Sequence, residues 1–254
     1  MRVVVLGFDG LETSIAEKVD EKAFLQEFHG FFEIGEEYKH EKEKVPYTPK
    51  IWVSIITGVP PSIHGVNSWW IEDKTGSKPK RRIINRGDLR VKTLFDEITD
   101  AIAVNVPGYN EKTEYHELLS KAATKGLEEY VKTIWEVHKL RLKDFMRELG
   151  RDEYKLLFAY FDLLDLLGHV CWHKCRLQLV RAYMEAAKII RYVKSTVTNT
   201  ALLILTDHGM KDSGDGVTGN HSDKAFWSLS VKPPITPKDF TDYYKLVLKL
   251  LGEK

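Results

Sequence analysis

The sequence predicts a layered α/β domain on a mainly parallel sheet, and three observations carry that expectation. Runs rich in Val, Ile, Leu and Phe at 3–8, 101–106, 156–161, 201–206 and 226–231 are apolar almost throughout, as strands covered on both faces must be. Stretches of helical period separate them, around 11–27, 50–57, 90–98, 118–149, 173–195 and 239–251, and strand alternating with helix is the α/β pattern. The length of 254 residues, 43% hydrophobic and 30% charged with only 9 Pro, suits one large-cored domain over 1–254 and excludes disordered or collagen-like chains.

The first strand begins at once in MRVVVLGFDG and ends in the turn Gly7–Gly10. A secretory leader needs a longer apolar stretch and a small-residue cleavage site, so a cytoplasmic location is the expectation. Every 18-residue window carries charge, so no membrane span is expected. Thr48 directly precedes Pro49, which places threonine at an N-cap, proline at the first helical position and a buried helix over Ile51–Ile56. Residues 66–92 interrupt the alternation with eight bases against three acids. Strands at 68–72 and 81–85 joined through Asp73–Gly76 would make a small flap, either a solvated hairpin or a basic lid that attracts anions. Over 118–149, Glu128, Lys132 and Glu136 are spaced four apart, a solvated face that Gly126 divides into two helices. Lys plus Arg number 38 against 37 acids, so no overall positive field calls for nucleic acid as an obligate partner. Cys171 and Cys175 are too few for a disulfide scaffold. The expectation is two small buried thiols and, weakly, a reducing compartment.

Polar residues gather where strands end: Asp9 after 3–8, Asp162, Asp165 and His169 after 156–161, Asp207 and His208 after 201–206, and His221 before 226–231. Ligands of such sheets lie beyond the carboxyl ends of the strands. Carboxylates crowded on one rim repel unless their pKa values rise or cations join them. Mixed with imidazole nitrogens they suit Zn²⁺, with Mn²⁺ as an alternative. Asp165 and His169, four apart, share a side of one helical turn, whereas Asp162 caps that turn or supports a ligand. His169, Cys171, His173 and Cys175 look like a compact metal cluster, but residues two apart on a helix diverge.

If Thr48 lies over that rim, the helix N-terminus favours charge on its oxygen. An unassisted threonine hydroxyl is a poor nucleophile, and metal coordination is one way to activate it. Asp9, Asp165, Asp207 and a Thr48 alkoxide carry four negative charges, which two divalent ions neutralise.

These residues sit in a series of motifs: GFDG at 7–10, TPKIWVSIITGVPPSIHGV at 48–66, DLLGH at 165–169, TDHG at 206–209 and GNH at 219–221. Their order and types resemble the alkaline phosphatase superfamily, and most closely its type I phosphodiesterase and nucleotide pyrophosphatase branch. The resemblance implies a three-layer α/β/α fold with a mixed, mostly parallel central sheet and two ions, usually zinc, at its carboxyl rim. It implies that Asp9, Asp207 and His208 hold one ion shared with Thr48, that Asp165, His169 and His221 hold the other, and that Thr48 becomes transiently phosphorylated. The family commonly carries an asparagine five residues after the histidine of its HG motif, where this chain has Trp69. Asn67 stands nearby as a replacement contact to phosphate. His64 and Gly65 match that motif in a structural turn.

The expected substrate is a small phosphate ester, and a nucleotide fits that class. Trp52, Trp69, Trp70 and Trp172 are either apolar walls for the second substituent of a diester or parts of the core. A phosphodiesterase or nucleotide pyrophosphatase leads, with a phosphomonoesterase behind it. A noncatalytic phosphate-binding domain would have lost a ligand or the nucleophile, and none is missing. Oligomeric state is not legible in the sequence.

Overall fold

The computed structural model describes residues 1–73, 80–151 and 153–253. The first half of the chain runs β1 (Arg2–Phe8), α1 (Thr13–Phe24), β2 (Phe28–Glu33), α2 (Thr48–Thr57), α3 (Pro61–His64), β3 (Trp70–Asp73), β4 (Lys80–Ile83), α4 (Leu94–Glu97) and β5 (Ala101–Val104). Helices α5 (Thr113–Ala123) and α6 (Leu127–Leu149) lead to β6 (Leu156–Phe161), α7 (Leu163–Cys171), α8 (Arg176–Thr196) and β7 (Thr200–Leu205). The chain then makes β8 (Gly209–Asp212), β9 (Gly219–Ser222), β10 (Lys224–Leu229) and α9 (Asp242–Leu251).

The central sheet has the order β2-β10-β7-β1-β6-β5. Strands β7, β1, β6 and β5 are mutually parallel, while β10 is antiparallel to both β7 and β2. The sheet is therefore mixed and largely parallel, as expected. Side chains of β1 alternate between two cores. Val4, Leu6 and Phe8 pack with α1, α6, α7 and α8 on one face, and Val3 and Val5 pack with α2 and α9 on the other. A strand buried on both faces reads as a continuous apolar run, which explains both its visibility in sequence and the three layers.

The register sets the position of the rim. Gly7 pairs with Tyr160 on one side and Leu205 on the other, so β1, β6 and β7 end level and the residues after each emerge together.

Several elements differ from expectation. Strand β2 was not anticipated because FHGFFE alternates half-buried with exposed positions and carries Gly and His, a weak strand signal. Helix α7, and the hairpin β8–β9 beyond the sheet, were also not foreseen as elements. The helix expected over 90–98 shrinks to α4, which starts at a Thr93–Asp96 capping box. Gly126 does separate α5 from α6, at φ 108°. The β3–β4 hairpin forms near the expected place, while the turn expected through Asp73–Gly76 falls largely outside the described residues. Cys171 and Cys175 are not free thiols but a disulfide, with Cα atoms 4.4 Å apart where α7 ends. The cysteines therefore supply no argument for a reducing compartment. Among the described residues, no helix is long and apolar enough to cross a membrane.

Gly7 is required by packing. A methyl there would lie 2.4 Å from Cη2 of Trp52, which is fully buried in α2 and packed edge-on to Phe158 and Tyr160. Trp52 is thus core and not a substrate wall, and the missing side chain lets α2 approach β1. Gly7→Ala is expected to destabilise the protein by about 1–3 kcal/mol through overpacking. A lowered urea midpoint at unchanged slope would show this; an unchanged midpoint would mean that Trp52 has room to move.

Candidate metal centre and active site

Asp9 follows β1, its N–H donating to Phe161 O at 2.9 Å. The hydroxyl of Tyr160 donates to Asp9 Oδ2 at 2.6 Å, and Oδ1 is buried without a hydrogen-bond partner among the described residues. Gly10 adopts φ +67°, and a side chain on it would meet Asp165 Cα at 2.7 Å. Only glycine allows the first turn of α7 to come so close. After β7, Asp207 Oδ1 accepts the His208 N–H at 3.1 Å and the Gly10 N–H at 3.4 Å, while Thr206 Oγ1 donates to His208 O at 2.6 Å. His221 comes from β9, paired with Met210 of β8.

Thr48 is the first residue of α2 and caps nothing; Tyr47 holds the N-cap position, with no side-chain hydrogen bond. Pro49 has no N–H, and the Lys50 and Ile51 N–H groups both donate to Tyr47 O. The terminus thus offers its dipole, but not the set of free amides that a capping threonine would have left. Thr48 Oγ1 instead lies 3.4 Å from His208 Nε2.

His208 Nε2 is also 3.3 Å from Asp9 Oδ1, 3.4 Å from Asp207 Oδ2 and 4.0 Å from Asp165 Oδ1. Asp165 Oδ1 is 3.2 Å from His169 Nε2 and 3.3 Å from His221 Nε2, and those two nitrogens are 2.9 Å apart. The His208 and His221 rings stack at 3.7 Å. All seven residues singled out in sequence as ligands or nucleophile thus form one connected cluster. Two subsets have ligand atoms mutually within 4.8 Å, Asp165 with His169 and His221, and Asp9 with Asp165 and His208. Asp165 therefore touches both halves.

The hydrogen bonds fix what the imidazoles present. Nδ1 of His169 faces Gly219 O at 3.1 Å, that of His208 faces Gly209 O at 3.1 Å, and that of His221 faces Pro46 O at 2.7 Å. A carbonyl only accepts, so each Nδ1 carries a proton and each ring turns its Nε2 inward, where it offers a lone pair once no second proton sits on it. Main-chain carbonyls holding the far nitrogen are the usual outer support of histidine metal ligands. Asp165 Oδ1 and Asp207 Oδ2, like Asp9 Oδ1, are buried without a hydrogen-bond partner among the described residues. Lone pairs and carboxylate oxygens converging at these distances need a cation or protons between them, and mixed N and O donors fit zinc or manganese.

Without an ion, protons take that role. Asp165 raises the His169 pKa to about 9. Burial alone would raise Asp165, but His169 and then His221 overcome it and hold that carboxyl well below its usual range. Burial, then Asp9 and Asp165, push Asp207 well above it.

The other candidates make their contacts elsewhere. Asn67 is exposed and lines a cavity of about 180 Å³ with His40, Glu41, Lys42 and Lys50, while Trp69 packs on the His116 ring at 5.1 Å. Asp162 makes no side-chain cap; its Oδ2 accepts from Arg141 at 2.9 Å. His64 bonds Ser54 Oγ and the Val66 N–H, and burial lowers its pKa to about 4, a structural turn as expected. Sequence reasoning missed Tyr160 and Arg141. Tyr160 sits inside an apolar run and Arg141 inside an amphipathic helix, and neither pattern marks them.

The chain belongs to the type I phosphodiesterase / nucleotide pyrophosphatase family, whose model matches residues 3–225. It is thus a member of a phosphate-ester hydrolase branch of the alkaline phosphatase superfamily. Among solved structures, murine ectonucleotide pyrophosphatase / phosphodiesterase 5 is similar at 14% identity and a TM-score of 0.59, over 100% of this chain and 96% of that one. An inactive threonine-to-alanine variant of the murine protein, in complex with AMP, gives 0.62 at the same identity and coverage. Alkaline phosphatase from the Antarctic bacterium TAB5 gives 0.55 at 10% identity, over 100% and 98% of the two chains. These are likenesses of fold. No curated protein matches the chain by sequence.

If an ion displaces the proton on His169, zinc binding below pH 9 must release protons, and apparent affinity should rise up to about tenfold per pH unit for each proton released. Titration calorimetry at pH 7 in buffers of different ionisation enthalpy should report that release. Zero release would mean that His169 is not a ligand.

Proposed function

We propose that this chain hydrolyses phosphate diesters or nucleotide pyrophosphates through a phosphorylated Thr48, in a cradle for two divalent ions, zinc before manganese. The convergence of three Nε2 atoms and three carboxylates on one threonine hydroxyl carries this reading. Asp9, Asp207 and His208 would hold one ion together with Thr48, and Asp165, His169 and His221 would hold the other. When bound, the ions supply Lewis acidity that makes Thr48 and then water nucleophilic and offsets charge on the phosphate oxygens. The Thr48 oxygen attacks phosphorus, the ester oxygen leaves, and water then cleaves the phosphothreonine. The positive end of α2 favours the anionic form of Thr48. Asp165, whose Oδ1 lies within 4.0 Å of all three imidazole Nε2 atoms, would set the spacing of the two halves.

The absence of a fixed cation among the described residues of the cradle favours a diester. Lys50 Nζ donates to Lys39 O, Lys211 faces Asp223 and Lys224 lies over the Phe31 ring. A monoesterase must hold an extra negative charge at its terminal oxygens. The murine relative's inactive threonine variant and its complex with AMP support a threonine nucleophile and a nucleotide-like substrate. Asn67 and Trp69 are the proposed outer contacts. The whole chain acts as one unit, with β3–β4 as a small basic flap.

Thr48→Ala should slow hydrolysis of bis(4-nitrophenyl) phosphate at least about 10³-fold while two zinc ions per chain persist. Wild type should prefer this diester to 4-nitrophenyl phosphate, and a chiral substrate should react with net retention at phosphorus. A Thr48→Ala rate equal to wild type, or net inversion, would contradict the phosphothreonine.

A further inference from the structure

Behind the cradle lies a buried polar arm that the mechanism above does not use. Arg141 is fully buried in α6. Its Nη2 donates to Glu111 Oε1 at 2.6 Å and to Asp162 Oδ2 at 2.9 Å. Among the described residues its Nε and Nη1 have no hydrogen-bond partner, and the guanidinium lies over the rings of Tyr115 and Tyr160, 5.0 and 5.3 Å from their centroids. A planar cation held between two acids and stacked on aromatic faces fixes those rings. Tyr160 is closed in from another side by Trp52, edge-on at 5.1 Å. With its ring held, the Tyr160 hydroxyl donates to Asp9 Oδ2 at 2.6 Å, its one hydrogen-bond partner among the described residues.

We propose that Tyr160, held by Arg141, is a positioning residue that restricts Asp9 to a single metal-ligating oxygen. Oδ2 is committed to the phenol, so only the partnerless Oδ1, 3.3 Å from His208 Nε2, faces the cradle. The inference rests on the two-ion reading and adds a reason for the choice of metal. Asp9 Oδ1, Asp207, His208 and Thr48 make a four-donor set, the number zinc favours. An Asp9 free to offer both oxygens would raise the number of oxygen donors, which suits manganese better.

The test is calorimetric titration of the metal-free full chain with zinc and, separately, with manganese, in wild type and Tyr160→Phe. Loss of an outer support typically costs about 10–100-fold in metal affinity. The variant should lose that much zinc affinity at one of its two sites, keep the other within about twofold, and lose less for manganese, so that the zinc-to-manganese ratio falls. A merely structural role would loosen both sites together and leave the ratio unchanged. Arg141→Lys is the second variant; it keeps a charge between Glu111 and Asp162 but removes the stacked plane, and it should weaken the same site. Unchanged affinities in both variants, or equal losses at both sites, would overturn the inference. Fewer than two zinc ions bound by wild type would instead contradict the two-ion reading itself.

Discussion

Three imidazole rings pinned by their outer nitrogens to main-chain carbonyls are the constraint on which the site depends. Gly219, Gly209 and Pro46 each take one Nδ1 proton, from His169, His208 and His221. What faces inward is three Nε2 atoms, three carboxylates and the Thr48 hydroxyl, a set rich in acceptors and short of positive charge. Such a cluster opposes itself in the absence of positive charge. The retained proton on His169 and the raised pKa of Asp207 are the protein's own partial remedy. A divalent pair is the complete one, and phosphoryl transfer is the chemistry that such a pair suits.

The scaffold delivers the cluster by levelling strand ends. Because β1 pairs in parallel with both β6 and β7, Asp9, the head of α7 and the Asp207–His208 turn emerge at one height. Two close approaches then draw in the flanking helices. Gly7 admits Trp52 and with it α2, and Gly10 admits the backbone of α7 at Asp165. Hairpin β8–β9 folds back so that His221 stacks on His208. Fold and site are one construction, since a side chain at either glycine disturbs both.

The core strands and the seven cluster residues were legible in the sequence for physical reasons. Strands covered on both faces leave apolar runs, and polar side chains after such runs stand out. Asp165 and His169 declared a shared helical side by their spacing, even though α7 was not delimited. Strand β2 hid because its outer face is wet, and β8–β9 because strands of only four residues leave almost no periodic signal. Thr48 was read as a cap from the Thr–Pro pair, whereas the helix begins one residue earlier and Thr48 turns to His208. The cysteine pair was read as thiols because i, i+4 spacing on a helix also suits simple burial. Tyr160, Arg141 and Glu111 were invisible because a buried polar network is assembled across elements and has no sequence period.

The orientation of the three imidazoles admits a direct test. Long-range ¹⁵N–¹H correlation spectra of histidine-labelled protein report which ring nitrogen carries the proton and which binds metal. With two equivalents of zinc, His169, His208 and His221 should each show a protonated Nδ1 and an Nε2 shifted to the metal-bound range. A protonated Nε2 on any of the three in the zinc-loaded protein, or ring shifts that zinc leaves unmoved, would contradict the account.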